Sequence, residues 1–169
     1  MSFQSEILSL AKMLNENLSS LGVTHSGASY GSTEKPIYDT MITNGSLRMK
    51  TEKLFKDGHY ARAVEEAYKL LDNLVKRRAG LGRSNLTGSP LMENVFSPNK
   101  PKLRLNAGIS TSETDEQKGY MMICAGCMTG IRNPRAHETD WEDTEERALQ
   151  LLSFANHLIE RTLNAEKQE

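Results

Sequence analysis

The chain has 169 residues, 37% of them hydrophobic and 25% charged, which suffices for one buried core and excludes a wholly disordered chain. Its formal net charge of −1 excludes the global basic footprint of a protein that coats nucleic acid, though not a local site that cuts it. No run approaches the ~20 apolar residues of a membrane span. The opening Met1-Ser2-Phe3-Gln4-Ser5-Glu6 has no basic stretch followed by an apolar one. Two cysteines make no disulfide framework. A cytoplasmic protein with no membrane partner is expected.

Along the chain, Ile7, Leu10, Ala11, Leu14 and Leu18 repeat at helical spacing and predict a first helix. Gly22 ends the pattern, and residues 22–35 are rich in Gly, Ser and Thr, as a linker is. Residues 1–44 are therefore read as an N-terminal helical extension and linker, and residues 45–169 as the main helical domain. Leu47, Leu54 and Phe55 share a face of a short helix that Asp57-Gly58 stops. Tyr60, Val64, Ala67, Tyr68, Leu71, Leu74 and Val75 form the apolar stripe of a long helix over about 58–79. Residues 83–112, with three of the five prolines, predict a long ordered loop with one helical turn near Leu91 to Phe96.

A third core helix is expected over about 114–132, with Tyr120, Cys124, Cys127, Met128 and Ile131 on one side. Pro134 should end it, because a residue before proline is disfavoured in helical geometry. The last helix is expected over about 140–164, with Glu142 and Asp143 at its positive end and Ala148, Leu151, Leu152, Ala155, Leu158, Ile159 and Leu163 buried. No segment alternates as a half-buried strand does. The fold class is all-α, an antiparallel helical bundle with long connecting loops.

The segment Arg132-Asn133-Pro134-Arg135-Ala136-His137 is the candidate for chemistry. A guanidinium can fork two N–H donors onto phosphate oxygens, and an imidazole exchanges a proton near neutral pH. Together they suit RNA cleavage without a metal: one group moves the proton of a 2′-OH or leaving oxygen, the other neutralises charge growing at phosphorus. Asn133 can orient either. The same spacing also suits a plain helix corner, with Arg132 capping carbonyls and His137 bonding the next helix. Cys124-Ala125-Gly126-Cys127 has C-x-x-C spacing, but zinc needs two more ligands, so buried, inert thiols are expected; no metal or cofactor is called for. His59 reads as a cap or packing residue. Lys76, Arg77, Arg78 and Arg83 cluster at a helix end, where cations are favourable anyway and where RNA contact is the other reading. Lys100, Lys102 and Arg104 form a second group.

The stretch from Leu54 to Val75, then Leu91-Met92-Glu93-Asn94-Val95-Phe96-Ser97, Asp115-Glu116-Gln117-Lys118-Gly119, and finally Gly130-Ile131-Arg132-Asn133-Pro134-Arg135-Ala136-His137-Glu138 resemble, in this order, the Ymh family of phage and bacterial proteins. The resemblance covers about residues 46–165. That family in turn resembles the HEPN superfamily, whose hallmark is an Arg, a following polar residue, a gap, then His; Arg132, Asn133 and His137 match those positions. The resemblance implies an HEPN-like helical bundle that forms a homodimer with both motifs facing one cleft. It also implies a metal-independent endoribonuclease that leaves a cyclic phosphate, in a phage-defence, toxin–antitoxin or stress setting with a partner from such a system. Arg132, Asn133 and His137 are then the catalytic residues, and Arg135, Lys76, Arg77 and Arg78 the RNA-binding ones. The alternative is a non-catalytic HEPN module that binds RNA or a partner protein.

Overall fold

The computed structural model describes residues 36–168, together with Met13. The helix expected from Ile7 to Leu18 and the linker at 22–35 lie outside the described residues, Met13 excepted. Helix α1, Ile37–Met41, comes first. The Tyr38 hydroxyl meets Thr51 Oγ1 at 2.7 Å, its ring lies 4.9 Å from that of Phe55, and Ile42 is fully buried. Residues 38–42 thus share the core of the helices that follow, on the near side of the boundary expected at residue 44.

Helix α2, Gly45–Lys56, starts where the Asn44 side chain accepts from the Leu47 N–H. That cap is worth about 1 kcal/mol. It ends at Gly58, whose φ of 81° is the left-handed conformation glycine adopts without strain. Helix α3, Tyr60–Arg78, buries Ala63, Val64, Ala67, Tyr68, Leu71, Leu74 and Val75, the stripe its 3.6-residue period predicts. Helix α4, Gly88–Phe96, is longer than the single turn expected. Its N-terminal approach is tied down by Asp72 of α3, which accepts from the Thr87 hydroxyl and the Gly88 N–H.

Helix α5, Thr111–Cys127, begins at a reciprocal cap between Ser110 and Glu113, ahead of the expected start. Buried Gln117 donates to Phe96 O and Leu103 O and accepts from Leu105 N–H, at 3.0, 3.1 and 3.0 Å. One side chain thereby satisfies three backbone groups of the proline-rich loop. Helix α7, Glu145–Leu163, is last, after the short α6, Asn133–His137. A two-stranded antiparallel ladder, β1 Leu103–Arg104 with β2 Glu166–Lys167, pins the C-terminal end. Two residues are too few to leave an alternation signal.

The fold is an all-α bundle. Its core is the buried stripe of α3 against Ala148, Leu152, Ala155, Leu158 and Ile159 of α7, each large side chain worth roughly 1.5–3 kcal/mol when buried. These two longest helices run in the same direction. Tyr60 meets Glu145, the Tyr68 hydroxyl donates to Leu151 O, and Arg78 donates to Ala165 O. The antiparallel partner of α7 is α5, through Glu116 with Arg161 and Tyr120 with His157. A parallel pair is possible because the long 79–144 connection returns the chain to its starting end.

Candidate active site

Helical backbone runs from α5 into α6 without the break expected at Pro134. Residues Met128–Arg132 form a π-helical turn between them. Asn133 has φ −63° and ψ −44°, and its N–H donates to Met128 O, five residues back. The wider turn re-registers the carbonyl ladder ahead of Pro134. This relieves the clash and the missing N–H that normally break a helix at proline. The expectation that Asn133 leaves helical geometry is therefore corrected. The chain turns only after His137, at Glu138, with φ −96° and ψ 119°. Single-turn π insertions of this kind often sit at functional sites.

This geometry places the catalytic candidates on one run rather than across a corner. Asn133 and His137 are four residues apart and share a helix face. Arg132 Nη1 donates to Asn133 Oδ1 at 3.1 Å. Arg132 and Asn133 are half-buried and His137 is exposed. Five helical steps put Arg132 about 140° around the axis from His137, and the cleft that His137 lines does not include Arg132.

That cleft has a volume of 710 Å³. His59, Tyr60, Arg62 and Glu65 at the start of α3 form one wall; Arg135, His137, Trp141 and Glu142 contribute the other. Glu65 is buried yet held below the usual carboxylate range: burial pushes it up, but Lys69 and Arg62 outweigh that, at 2.7 and 2.6 Å. His59 is the N-cap residue of α3, its carbonyl accepting from the Ala63 N–H, but its side chain makes no capping hydrogen bond and the residue lines the cleft.

Arg135 is the organiser of this end. Its side chain is 2% exposed and that of Asp143 is fully buried. Arg135 Nε and Nη2 form a two-pronged bridge to Asp143 at 2.6 and 2.7 Å, and Nη1 donates to Ile131 O at 2.7 Å. The guanidinium also lies 5.4 Å from the Trp141 ring centre. Arg135, expected to contact RNA, has its planar fork engaged within the chain. The same clamp draws 138–144 into a loop, and this is why α7 starts at Glu145, with Thr144 as its cap, rather than near residue 140.

The other expected RNA-binding residues lie at the far end of α3. Arg77 is exposed, Lys76 is half-buried, and Arg78 is tied to Ala165 O. A 19-residue helix separates the two ends by roughly 28 Å. Cys124 and Cys127 are both buried. Burial pushes their thiols up to about 12 and about 11, the nearby Cys127 adding to the rise at Cys124 and the Tyr68 hydroxyl opposing it at Cys127. Thiols in that state are poor nucleophiles. Among the described residues, no group of three or more His, Cys, Asp and Glu is placed to hold a metal, and no helix is long and apolar enough to cross a membrane.

Residues 44–162 match the family described as "Protein of unknown function (Hypoth_ymh)". The chain belongs to the Ymh family. No curated protein and no solved structure matches it. The Ymh match takes in α2 through most of α7, and so includes every described residue of the cleft and of the Arg132–His137 run. Sequence reasoning missed His59, Tyr60, Arg62 and Trp141 as cleft residues. The available signals were a histidine directly after a glycine helix stop, and the chain's one tryptophan set beside the Arg-His segment.

Proposed function

We propose that this Ymh chain is a metal-independent endoribonuclease of the HEPN type, acting in the cytoplasm as a homodimer, with Arg132, Asn133 and His137 as its catalytic residues. The observation that supports this most is the helical run itself. An Arg and the Asn it bonds precede, by one helix turn, an exposed His that lines an open cleft. In the proposed reaction a ribose 2′-OH attacks phosphorus, the P–O5′ bond breaks, and a 2′,3′-cyclic phosphate remains. His137 moves a proton at the attacking or leaving oxygen, Arg132 neutralises the non-bridging oxygens, and Asn133 holds the Arg132 fork in place.

The angular separation of Arg132 from His137 is what a homodimer would resolve, by supplying the Arg of one subunit to the His of its partner across a two-fold axis. The surface suited to this contact is the exposed side of α5 and the π turn. There Met122 and Ile123 are 61% and 39% exposed, and Gly126 and Gly130 leave the backbone open to close approach. The resemblance to phage and bacterial proteins suggests a phage-defence, toxin or stress setting, with a toxin–antitoxin or defence partner. The second reading, a non-catalytic HEPN module binding RNA or a protein, is favoured by the absence of Arg132 from the lining of the cleft that His137 enters, its guanidinium being engaged with Asn133.

Purified protein incubated with total RNA in EDTA separates the two readings. Discrete cleavage with cyclic-phosphate ends is expected. Intact RNA, or cleavage only after magnesium is restored, would reject the assignment. Light scattering should give twice the chain mass; a monomer at tens of micromolar would remove the composite site.

A further inference from the structure

The opposite end of α3 carries a site that the cleft chemistry does not use. Three stretches far apart in sequence meet there around a cavity of 810 Å³: Ala79–Leu81 after α3, Glu93 to Lys102 from α4 and its loop, and Lys167 with Gln168 from the C-terminal strand. Backbone pairing fixes the arrangement, because Lys102 N–H donates to Val95 O, Gln168 N–H donates to Lys102 O at 3.0 Å, and Leu103 pairs with Lys167. Gly80, with φ 71°, lets the chain turn under the Lys167 side chain, whose Nζ would stand 3.2 Å from a Cβ there.

Lys100, Lys102 and Lys167 line this cavity, and none forms a salt bridge to a carboxylate among the described residues. That contrasts with Lys53, Lys56 and Lys69, which all do. Exposed Arg77 and half-buried Lys76 continue the charge along α3, and exposed Arg83 follows just beyond it. The one carboxylate in the lining, Glu93, accepts from the Ser89 hydroxyl at 3.0 Å. In a chain of net charge −1, three lysines against one carboxylate in the lining, with Lys76, Arg77 and Arg83 on α3 and just beyond it, leave this pole positive, and such a pole attracts polyanions.

We propose that this pole is a binding site for single-stranded nucleic acid. Lys100, Lys102 and Lys167 neutralise successive phosphates, and a base enters the cavity against Leu81 and Pro101, with Asn94 and Ser97 as hydrogen-bonding partners. The cavity favours a single strand, because a duplex turns its bases inward and presents none to be inserted. The spread of charge to Lys76, Arg77 and Arg83 exceeds what one mononucleotide would cover. The site does not depend on the proposed cleavage, since it requires no reacting group.

The test is fluorescence anisotropy with a labelled 2′-O-methyl 12-mer, which lacks the 2′-OH nucleophile and so reports binding whether or not the protein is a nuclease. Lys100→Gln/Lys102→Gln/Lys167→Gln should weaken binding by about ten-fold or more at low salt. It should also flatten the slope of log K against log[salt] by about 2, three phosphates at ~0.7 each. Should the triple variant fold poorly, Lys100→Gln alone, in an exposed loop, should weaken binding by roughly two- to five-fold. Lys53→Gln/Lys56→Gln, at the cleft end, should leave affinity unchanged. The proposal is overturned if the lysine variants bind like the unaltered protein, or if the 12-mer does not bind at low salt. Binding of ATP or of anionic phospholipid vesicles in its place would overturn it equally.

Discussion

The two ends of α3 solve opposite electrostatic problems. Towards its start, charges are paired: Arg135 with Asp143, both buried, and the buried Glu65 carboxylate between the more exposed Arg62 and Lys69. At its end, exposed Lys100, Lys167 and Arg77 and half-buried Lys102 have no carboxylate partners among the described residues. A buried ion pair has already lost its water and is held by geometry, so it orders the backbone around it. Unpaired surface cations keep their water and remain available to an incoming anion. The first arrangement positions a site; the second attracts a ligand. Function is therefore expected to be divided along the helix, with chemistry at the ordered end and capture at the open one.

The comparison breaks most sharply at His137. His137→Ala should lower RNA cleavage by about 10²–10⁴-fold, the usual worth of a general acid or base, with the circular dichroism spectrum retained, because the side chain is exposed. Full activity in that variant would end the catalytic assignment. Arg132→Lys should recover little of what Arg132→Ala loses, since an ammonium has no planar fork.

The ordered end should be the more costly to disturb. Asp143→Ala leaves a guanidinium buried without its partner and should destabilise the protein by about 3–5 kcal/mol, read as a shift in urea midpoint. Arg135→Met with Asp143→Leu should recover much of that loss. A cost under ~1 kcal/mol for Asp143→Ala would mean that the clamp does not organise the 138–144 loop.

The buried thiols give a smaller, pH-dependent effect. Burial raises the Cys124 thiol from 9.0 to about 12, so the unfolded chain loses this proton before the folded one does. Stability from this group is complete below pH 9 and lost as pH rises towards 12. Cys124→Ala should flatten the alkaline limb of the stability–pH curve, and an unchanged limb would contradict the assigned burial. Arg77→Gln should have the smallest effect on the fold, within about 0.5 kcal/mol, while weakening 12-mer binding by roughly two- to three-fold. A stability loss as large as that of Asp143→Ala would show that the two ends do not differ in the way described.

Local pattern determined much of this protein. The helices at 60–78 and 145–163, the glycine stop at Gly58, and the burial of Cys124 and Cys127 follow from 3.6-residue periodicity and from backbone preferences that act within a few residues. The Arg132–Asn133–His137 order was visible for the same reason, as was the family it resembles. Tertiary structure decided the rest. Pro134 breaks a helix by local rule, yet a π turn carries the backbone through it. Glu142 and Asp143 read as the first turn of a helix, but Asp143 is more stable bridged to Arg135 eight residues earlier. His59 joins His137 in one cleft only because α3 packs beside α6. Lys100 and Lys102 are far from Lys167 in sequence and line one cavity only when Lys102 bonds to Val95 and β1 pairs with β2. Periodicity reports which face of an element is apolar; it carries no information about which distant charges that burial will bring together, because Coulomb interactions depend on distance in space, which only the packed chain sets.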